Sequence, residues 1–150
     1  EIVRYDLSTQ NSGEWTTIAK VNEANQRGGV AFVVEDKVYA GLGEKSNGIR
    51  NGFYVSSDSL TKWELIPSIT AQLGVISSGV YDEQKKSFFM IDNDGKIWEY
   101  NLTTEQWTSR SLWIRMKNYH MFMLDGSIYI LGQDIYQKNK FTVYNPIWDN

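Results

Sequence analysis

Aromatic residues recur along this 150-residue chain at a near-constant interval, and that period constrains the fold more than any single motif. Tyrosines stand at Tyr5, Tyr54, Tyr100 and Tyr144, separated by 49, 46 and 44 residues. A tryptophan follows each one, at Trp15, Trp63, Trp107 and Trp148, separated by 48, 44 and 41 residues. Self-similarity at about 40–50 residues marks repeated supersecondary units, and four-stranded propeller blades fall in that range. Aromatics make up 14% of the chain, and Gly (12) far outnumbers Pro (2), a balance that favours strands and tight turns over helices.

Local patterning agrees. Ile2 to Leu7 alternates, and Trp15 to Ala19 is a β-branched run. Val30 to Val34 is a short continuous apolar run of the kind found in buried strands. Val38 to Gly41 follows as its hairpin partner, then strands at 52–56 and 62–66. The same order repeats at 74–81, 87–91, 96–101 and 106–110, and again at 119–124, 127–131, 140–144 and a stub at Ile147-Trp148. Asn93-Asp94-Gly95 and Asp125-Gly126 are hairpin-turn signals, because Asp-Gly tolerates the positive φ of a tight turn. Labelling the strands of each unit a to d, residues 1–20 hold c and d of one unit, and 28–66, 74–110 and 119–148 hold three more. The chain is therefore expected to be all-β, with about three and a half four-stranded blades in a single partial propeller.

Several function classes are disfavoured. A net charge of −3 and a pI near 5.2 argue against nucleic-acid binding, which needs a basic face to displace counterions. With no Cys there is no disulfide framework and no thiolate ligand, and His120 is the only histidine, so neither a metal nor a cofactor is expected. His120 is read as a structural histidine in a strand with its hydrogen bonds satisfied. Asp92-Asn93-Asp94-Gly95 lacks the ligand spacing and closing Glu of a calcium loop and is read as a turn. Asn101-Leu102-Thr103 fits a glycosylation acceptor. No apolar run approaches the ~18–20 residues of a membrane span. The start at Glu1 suggests a processed or trimmed piece.

Val38-Tyr39-Ala40-Gly41-Leu42-Gly43, followed by Tyr54 and Trp63, resembles the kelch repeat, in which an apolar-Tyr strand ends in glycines and a Tyr and then a Trp follow. Ser127-Ile128-Tyr129-Ile130-Leu131-Gly132, followed by Tyr144 and Trp148, resembles it again, and Tyr5 with Trp15 looks like the second half of another repeat. The Tyr100–Trp107 unit departs from the pattern, with Met90-Ile91-Asp92 where glycines belong. The resemblance implies a kelch-like propeller fragment whose remaining blades, or a second copy, close the ring. It implies that Gly41, Gly43 and Gly132 allow close backbone approach or positive φ, and that the periodic aromatics wedge blade against blade. The degenerate Gly-Leu-Gly style is similar to that of bacterial surface propellers, which suggests a cell-envelope or secreted setting.

Antiparallel a–b–c–d order puts the b-to-c and d-to-a loops on one face, where function concentrates. That face is expected to carry Lys20 to Arg27, Gly43 to Asn51 with Arg50, Ser109 to Asn118 with Arg110, Trp113 and Arg115, and Gln133 to Asn139 with Tyr136. Trp beside Arg can stack on a sugar ring or bind a carboxylate. The expected function is a non-catalytic binding module that contacts protein or glycan. The alternative is a carbohydrate-active kelch propeller, sialic-acid mutarotase-like or galactose-oxidase-like. The copper-oxidase version is the weaker, since it needs more than one His and a cross-linked Cys.

Overall fold

The computed structural model describes residues 2–6, 13–19, 26–27, 29–45, 48–49, 52–57, 60–67, 73–113 and 116–146. Apart from a 3-10 turn at Leu60 the elements among them are strands, and every strand pairing is antiparallel. The first sheet is β1 (Ile2–Asp6) and β2 (Glu14–Ala19). A small sheet joins β3 (Gln26–Arg27) to the two-residue strands β6 (Glu44–Lys45) and β7 (Gly48–Ile49). The second large sheet runs β4 (Val30–Val34), β5 (Lys37–Gly41), β8 (Phe53–Ser57), β9 (Lys62–Leu65). The third runs β10 (Ile76–Asp82), β11 (Ser87–Asp92), β12 (Lys96–Asn101), β13 (Gln106–Trp113). The fourth runs β14 (Lys117–Leu124), β15 (Ser127–Gln133), β16 (Asn139–Tyr144). In each large sheet, spatial order follows chain order. The expected strand at Ile147-Trp148 lies outside the described residues, as does Trp148 itself.

The sheets meet through their first strands. β4 adjoins β10, and β10 adjoins β14. The Met121 N–H of β14 donates to Ser78 Oγ of β10 at 2.9 Å. At the other joint Gly79 lets β10 approach β4, because a Cβ there would lie 2.6 Å from the Phe32 ring of the preceding sheet. The result is a blade-like succession in which the second, third and fourth sheets pack face-on, each against the next.

Two cores fill the joints. Between the second and third sheets, Phe32 and Phe53 meet Phe88, Met90, Trp98 and Tyr100. Phe32 stacks on Phe88 at 4.4 Å, and Phe53 sits edge-on to Phe88, Tyr100 and Trp107 at 5.9, 6.2 and 5.9 Å. Between the third and fourth sheets, Val80, Phe89, Ile91 and Ile97 meet Tyr119, Met121, Ile128, Ile130 and Tyr144. β11 therefore buries both faces, Phe88 and Met90 into one core, Phe89 and Ile91 into the other, which explains its unbroken apolar run. The similar run at Val30–Val34 does not share this fate: Phe32 is buried, but Val33 on the opposite face is 70% exposed.

The repeat aromatics behave unequally. Tyr100 and Trp107 pair at 4.9 Å and lock the third sheet to the second, with Trp107 Nε1 donating to the Pro67 carbonyl at 2.9 Å. Tyr144 is buried against Phe89. Tyr39 packs on Phe53 and Phe88. Tyr54 is half-buried, and Trp63 bonds locally, donating to the Leu60 carbonyl at 3.1 Å. Tyr5 and Trp15 make the same cross-strand pair at 4.8 Å but stay exposed, a departure from the expected blade wedge: the two rings cover each other, not a neighbouring sheet. Gly41 has the expected positive φ (+147), with Gly52 O only 2.2 Å from where a Cβ would stand, and a Cβ at Gly132 would stand 3.0 Å from Lys117 O; Gly43 is buried.

Burial raises the Tyr100 phenol to about 12, with Glu105 and Tyr39 adding repulsion, and Tyr39 is raised by burial first and then by Tyr81, Glu35 and Glu105. Both phenols thus resist ionisation when folded. The Tyr100 contribution is fully present below pH 10 and is lost as pH climbs from 10 towards 12, where only the unfolded chain releases its proton readily, and Tyr39 acts in the same direction. Thermal melts across that window are expected to fall steadily, and Tyr100→Phe to flatten the decline.

Candidate functional site

A cleft of about 320 Å³ opens at one end of the fourth sheet, lined by Asn118, His120, Leu131, Gly132, Gln133, Asn139 and Lys140. Register builds it. Lys117 pairs with Gln133, His120 with Leu131, Gly132 with Lys140, and Gln133 with Asn139. A bulge between Lys117 and His120 turns Asn118, at φ 55, into the left-handed region that asparagine tolerates better than most residues. Side chains alternate along β14, so Tyr119 and Met121 go to the core while Asn118 and His120 face outward.

The cleft floor is an amide relay. Asn118 Nδ2 donates to Gln133 Oε1 at 3.1 Å, and Gln133 Nε2 donates to Asn139 Oδ1 at 3.4 Å. These bonds leave Asn118 Oδ1 as an acceptor and Asn139 Nδ2 as a donor for a bound molecule. The His120 side chain is exposed and its imidazole has no hydrogen-bond partner among the described residues, which corrects the expectation of a satisfied structural imidazole. Its cause is parity: position 120 falls on the outward face of β14, not the core face.

The corner beside the cleft is pinned by Asp134. Its Oδ1 accepts from the backbone N–H of Tyr136 (2.9 Å) and Lys138 (3.0 Å), and its Oδ2 pairs with Lys140 Nζ at 3.7 Å. Asp92 does the same one sheet earlier. Its Oδ1 accepts from Asp94 and Lys96 N–H at 3.0 and 2.9 Å, and its Oδ2 accepts from Trp98 Nε1 at 2.9 Å. In both corners the acceptor's partners stand two, four and six residues on. The Asp92–Gly95 segment is thus the expected turn, with Gly95 at φ +84.

The expected loop-face residues are placed as follows. Gln26 and Arg27 pair with Lys45 and Glu44, so the stretch before the second sheet does meet that sheet's b-to-c loop. Ser109–Trp113 is strand, not loop: β13 continues past a bulge until Trp113 pairs with Lys96. Arg110 is no free cation. Its Nε donates to Glu99 Oε2 at 2.8 Å and its guanidinium also engages that oxygen through Nη2, because buried Glu99 on the neighbouring strand requires a partner. Tyr136 is exposed at the Asp134 corner, beside the cleft but not in its wall. Arg50 and Arg115 lie outside the described residues. The Asn101 amide is occupied, its Nδ2 donating to Lys85 O and Ser87 Oγ and its Oδ1 accepting from Thr103 and Thr104, so it is poorly placed as a glycan acceptor.

Asn118, Gln133 and Asn139 bound the loops expected from the sequence, which did not single them out. Their signal was the pairing across the b-to-c corner, which needs register. Among the described residues no group of three His, Cys, Asp or Glu side chains could hold a metal ion, and no helix is long and apolar enough to cross a membrane.

No family model matches this sequence, and no curated protein matches it. Solved structures do match in shape. The structure of YjhT aligns with a TM-score of 0.60 at 16% identity, covering 81% of this chain and 39% of that one. A chain of the Nidogen/Laminin complex aligns with a TM-score of 0.55 at 12% identity, covering 91% of this chain and 53% of that one. Both are propeller-type structures, and the fold of this chain is of the same kind. The chain spans about two-fifths of the one neighbour and about half of the other.

Proposed function

We propose that this chain is part of a kelch-type propeller that serves as a non-catalytic binding module, and that the cleft at the end of the fourth sheet takes its ligand. The observation that carries this reading is the Asn118–Gln133–Asn139 relay, which presents unused amide donors and acceptors beside Lys140 and His120. Neutral amides suit groups that both give and accept hydrogen bonds, such as sugar hydroxyls or peptide amides, and exposed Tyr136 and Phe141 nearby offer flat apolar surface. That one neighbour was solved in a complex of two proteins is in keeping with a protein ligand.

A glycan screen and a peptide-display screen on the same preparation test the reading. Gln133→Ala, which breaks both relay bonds, is expected to weaken a ligand found in either screen by about tenfold, the scale of one to two lost hydrogen bonds. Arg110→Ala is expected to lower stability and leave affinity intact. An unchanged dissociation constant for Gln133→Ala sinks the site assignment. Turnover in a sialic-acid anomerisation assay, lost on His120→Ala, would favour the carbohydrate-active alternative instead.

A further inference from the structure

We infer that the corner between β15 and β16 is a peripheral membrane contact, seating Ile135 and Tyr136 in the headgroup boundary of an anionic lipid surface. Both side chains are 75% exposed, more than any other large apolar side chain among the described residues. They stand in the 134–138 turn, past the last pair of the ladder, Gln133 with Asn139. The tip therefore belongs to neither packing face of the fourth sheet.

The turn is held by groups other than these two side chains. The Asp134 N–H donates to the Lys138 carbonyl and the Gln137 N–H to the Asp134 carbonyl, each at 2.9 Å. Asp134 Oδ1 accepts from the Tyr136 and Lys138 amides. The corner at Asp92 shows that such a turn has no need of an apolar apex. Its carboxylate binds the same pair of amides, two and four residues on, and its apex carries exposed Asn93 and Asp94. A tip ordered in advance loses little conformational freedom when it enters another phase.

Charge names the occupant. The Asp134 side chain is 17% exposed and pairs with Lys140 at 3.7 Å, so its charge is largely taken up within the turn. The exposed charges around the tip are Lys138, Lys140 and, across the register from Gln133, Lys117. A chain of net charge −3 thus surrounds its most exposed apolar pair with cations. Tyrosine and aliphatic side chains settle at the headgroup boundary, and cations beside them are drawn to anionic lipid. A protruding tip enters a deformable lipid surface directly, whereas a protein partner would need a matching acidic pocket.

The inference does not rest on the binding reading, since neither Ile135 nor Lys138 lines the cleft. Co-sedimentation with vesicles is the test. The chain is expected to bind phosphatidylserine-rich vesicles and to ignore pure phosphatidylcholine. Binding is expected to fall as salt rises from about 0.1 to 1 M, which shortens the Debye length from about 10 to 3 Å. Ile135→Ser and Lys138→Ala are each expected to weaken binding at least about fivefold, with unchanged thermal melts. Gln133→Ala is expected to bind vesicles as the wild type does, which separates this contact from the cleft. Because the chain has no Cys, Ile135→Cys can carry a single polarity-sensitive fluorophore, whose emission is expected to shift to the blue on the anionic vesicles. The same label on Asp125→Cys, in the turn at the other end of the sheet, is expected not to shift. A chain that leaves the anionic vesicles unbound overturns the inference in favour of an acidic protein surface. Binding that survives Ile135→Ser undiminished, or equal shifts from the two labels, overturns it in favour of adsorption by charge alone.

Discussion

Phe53→Ala is expected to lower the unfolding free energy by about 3–5 kcal/mol, the range for emptying a fully buried aromatic site. Phe53 is 1% exposed and touches rings from both sheets of its joint: Phe32 and Tyr39 on its own sheet, Phe88, Tyr100 and Trp107 on the next. Its removal strips Tyr100 and Trp107 of the ring they sit against, and the Trp107–Pro67 hydrogen bond at the outer edge cannot fill the void. Denaturant unfolding measures the loss. Val33→Thr, on the exposed face of the same sheet, is the control and is expected to cost less than about 1 kcal/mol. Equal losses at the two positions would mean that the joint is not a packed core.

Asp92→Ala is expected to cost about 2–4 kcal/mol, the second-largest effect, since hydrogen bonds to a charged acceptor are worth about 1.5–3 each and the buried indole N–H is left without a partner. The carboxylate is 2% exposed and ties three donors: the Asp94 and Lys96 amides and Trp98 Nε1. Trp98 belongs to the core between second and third sheets, so the corner and the core fail together. Asp92→Asn is expected to be milder, because its amide oxygen still caps the two backbone N–H groups while the amide nitrogen cannot accept from the indole. Asp134→Ala, at the matching corner, is expected to cost no more than about 1 kcal/mol, since its partners are exposed amides and a solvated lysine. Chemical denaturation followed by tryptophan fluorescence distinguishes the three.

Much of this architecture was legible because a repeat reports itself. Tyr100 and Trp107 stand where the period requires, and they perform the inter-sheet contact that bulky, flat residues at such positions imply. Asp94-Gly95 and Asp125-Gly126 announced their turns through positive φ. The periodic signal failed where it could not say which face a residue takes or what lies beyond it. Val30–Val34 reads as the apolar run of a buried strand, yet it is Ser87–Asp92 that has a sheet on both sides. Tyr5 and Trp15 match the period and remain in solvent.

The site was less legible than the fold for a related reason. Arg110 reads as a loop cation, but strand pairing sets it diagonally across from Glu99, and the buried carboxylate claims it. Asn118, Gln133 and Asn139 are ordinary polar residues in sequence; they become a set only when the bulge before His120 and the pairing of Gln133 with Asn139 bring them to one end of the sheet. Such convergence is a property of register, and composition and spacing carry little of it.

Inter-ring nuclear Overhauser contacts test the radial succession of sheets most directly. The account predicts contacts between Phe32 and Phe88, between Phe53 and Trp107, and between Phe89 and Tyr144, whose ring centroids lie 4.4, 5.9 and 6.5 Å apart. Second would then touch third, and third touch fourth. Contacts from Phe53 straight to Tyr144 and Phe89, with those to Phe88 and Trp107 missing, would contradict it.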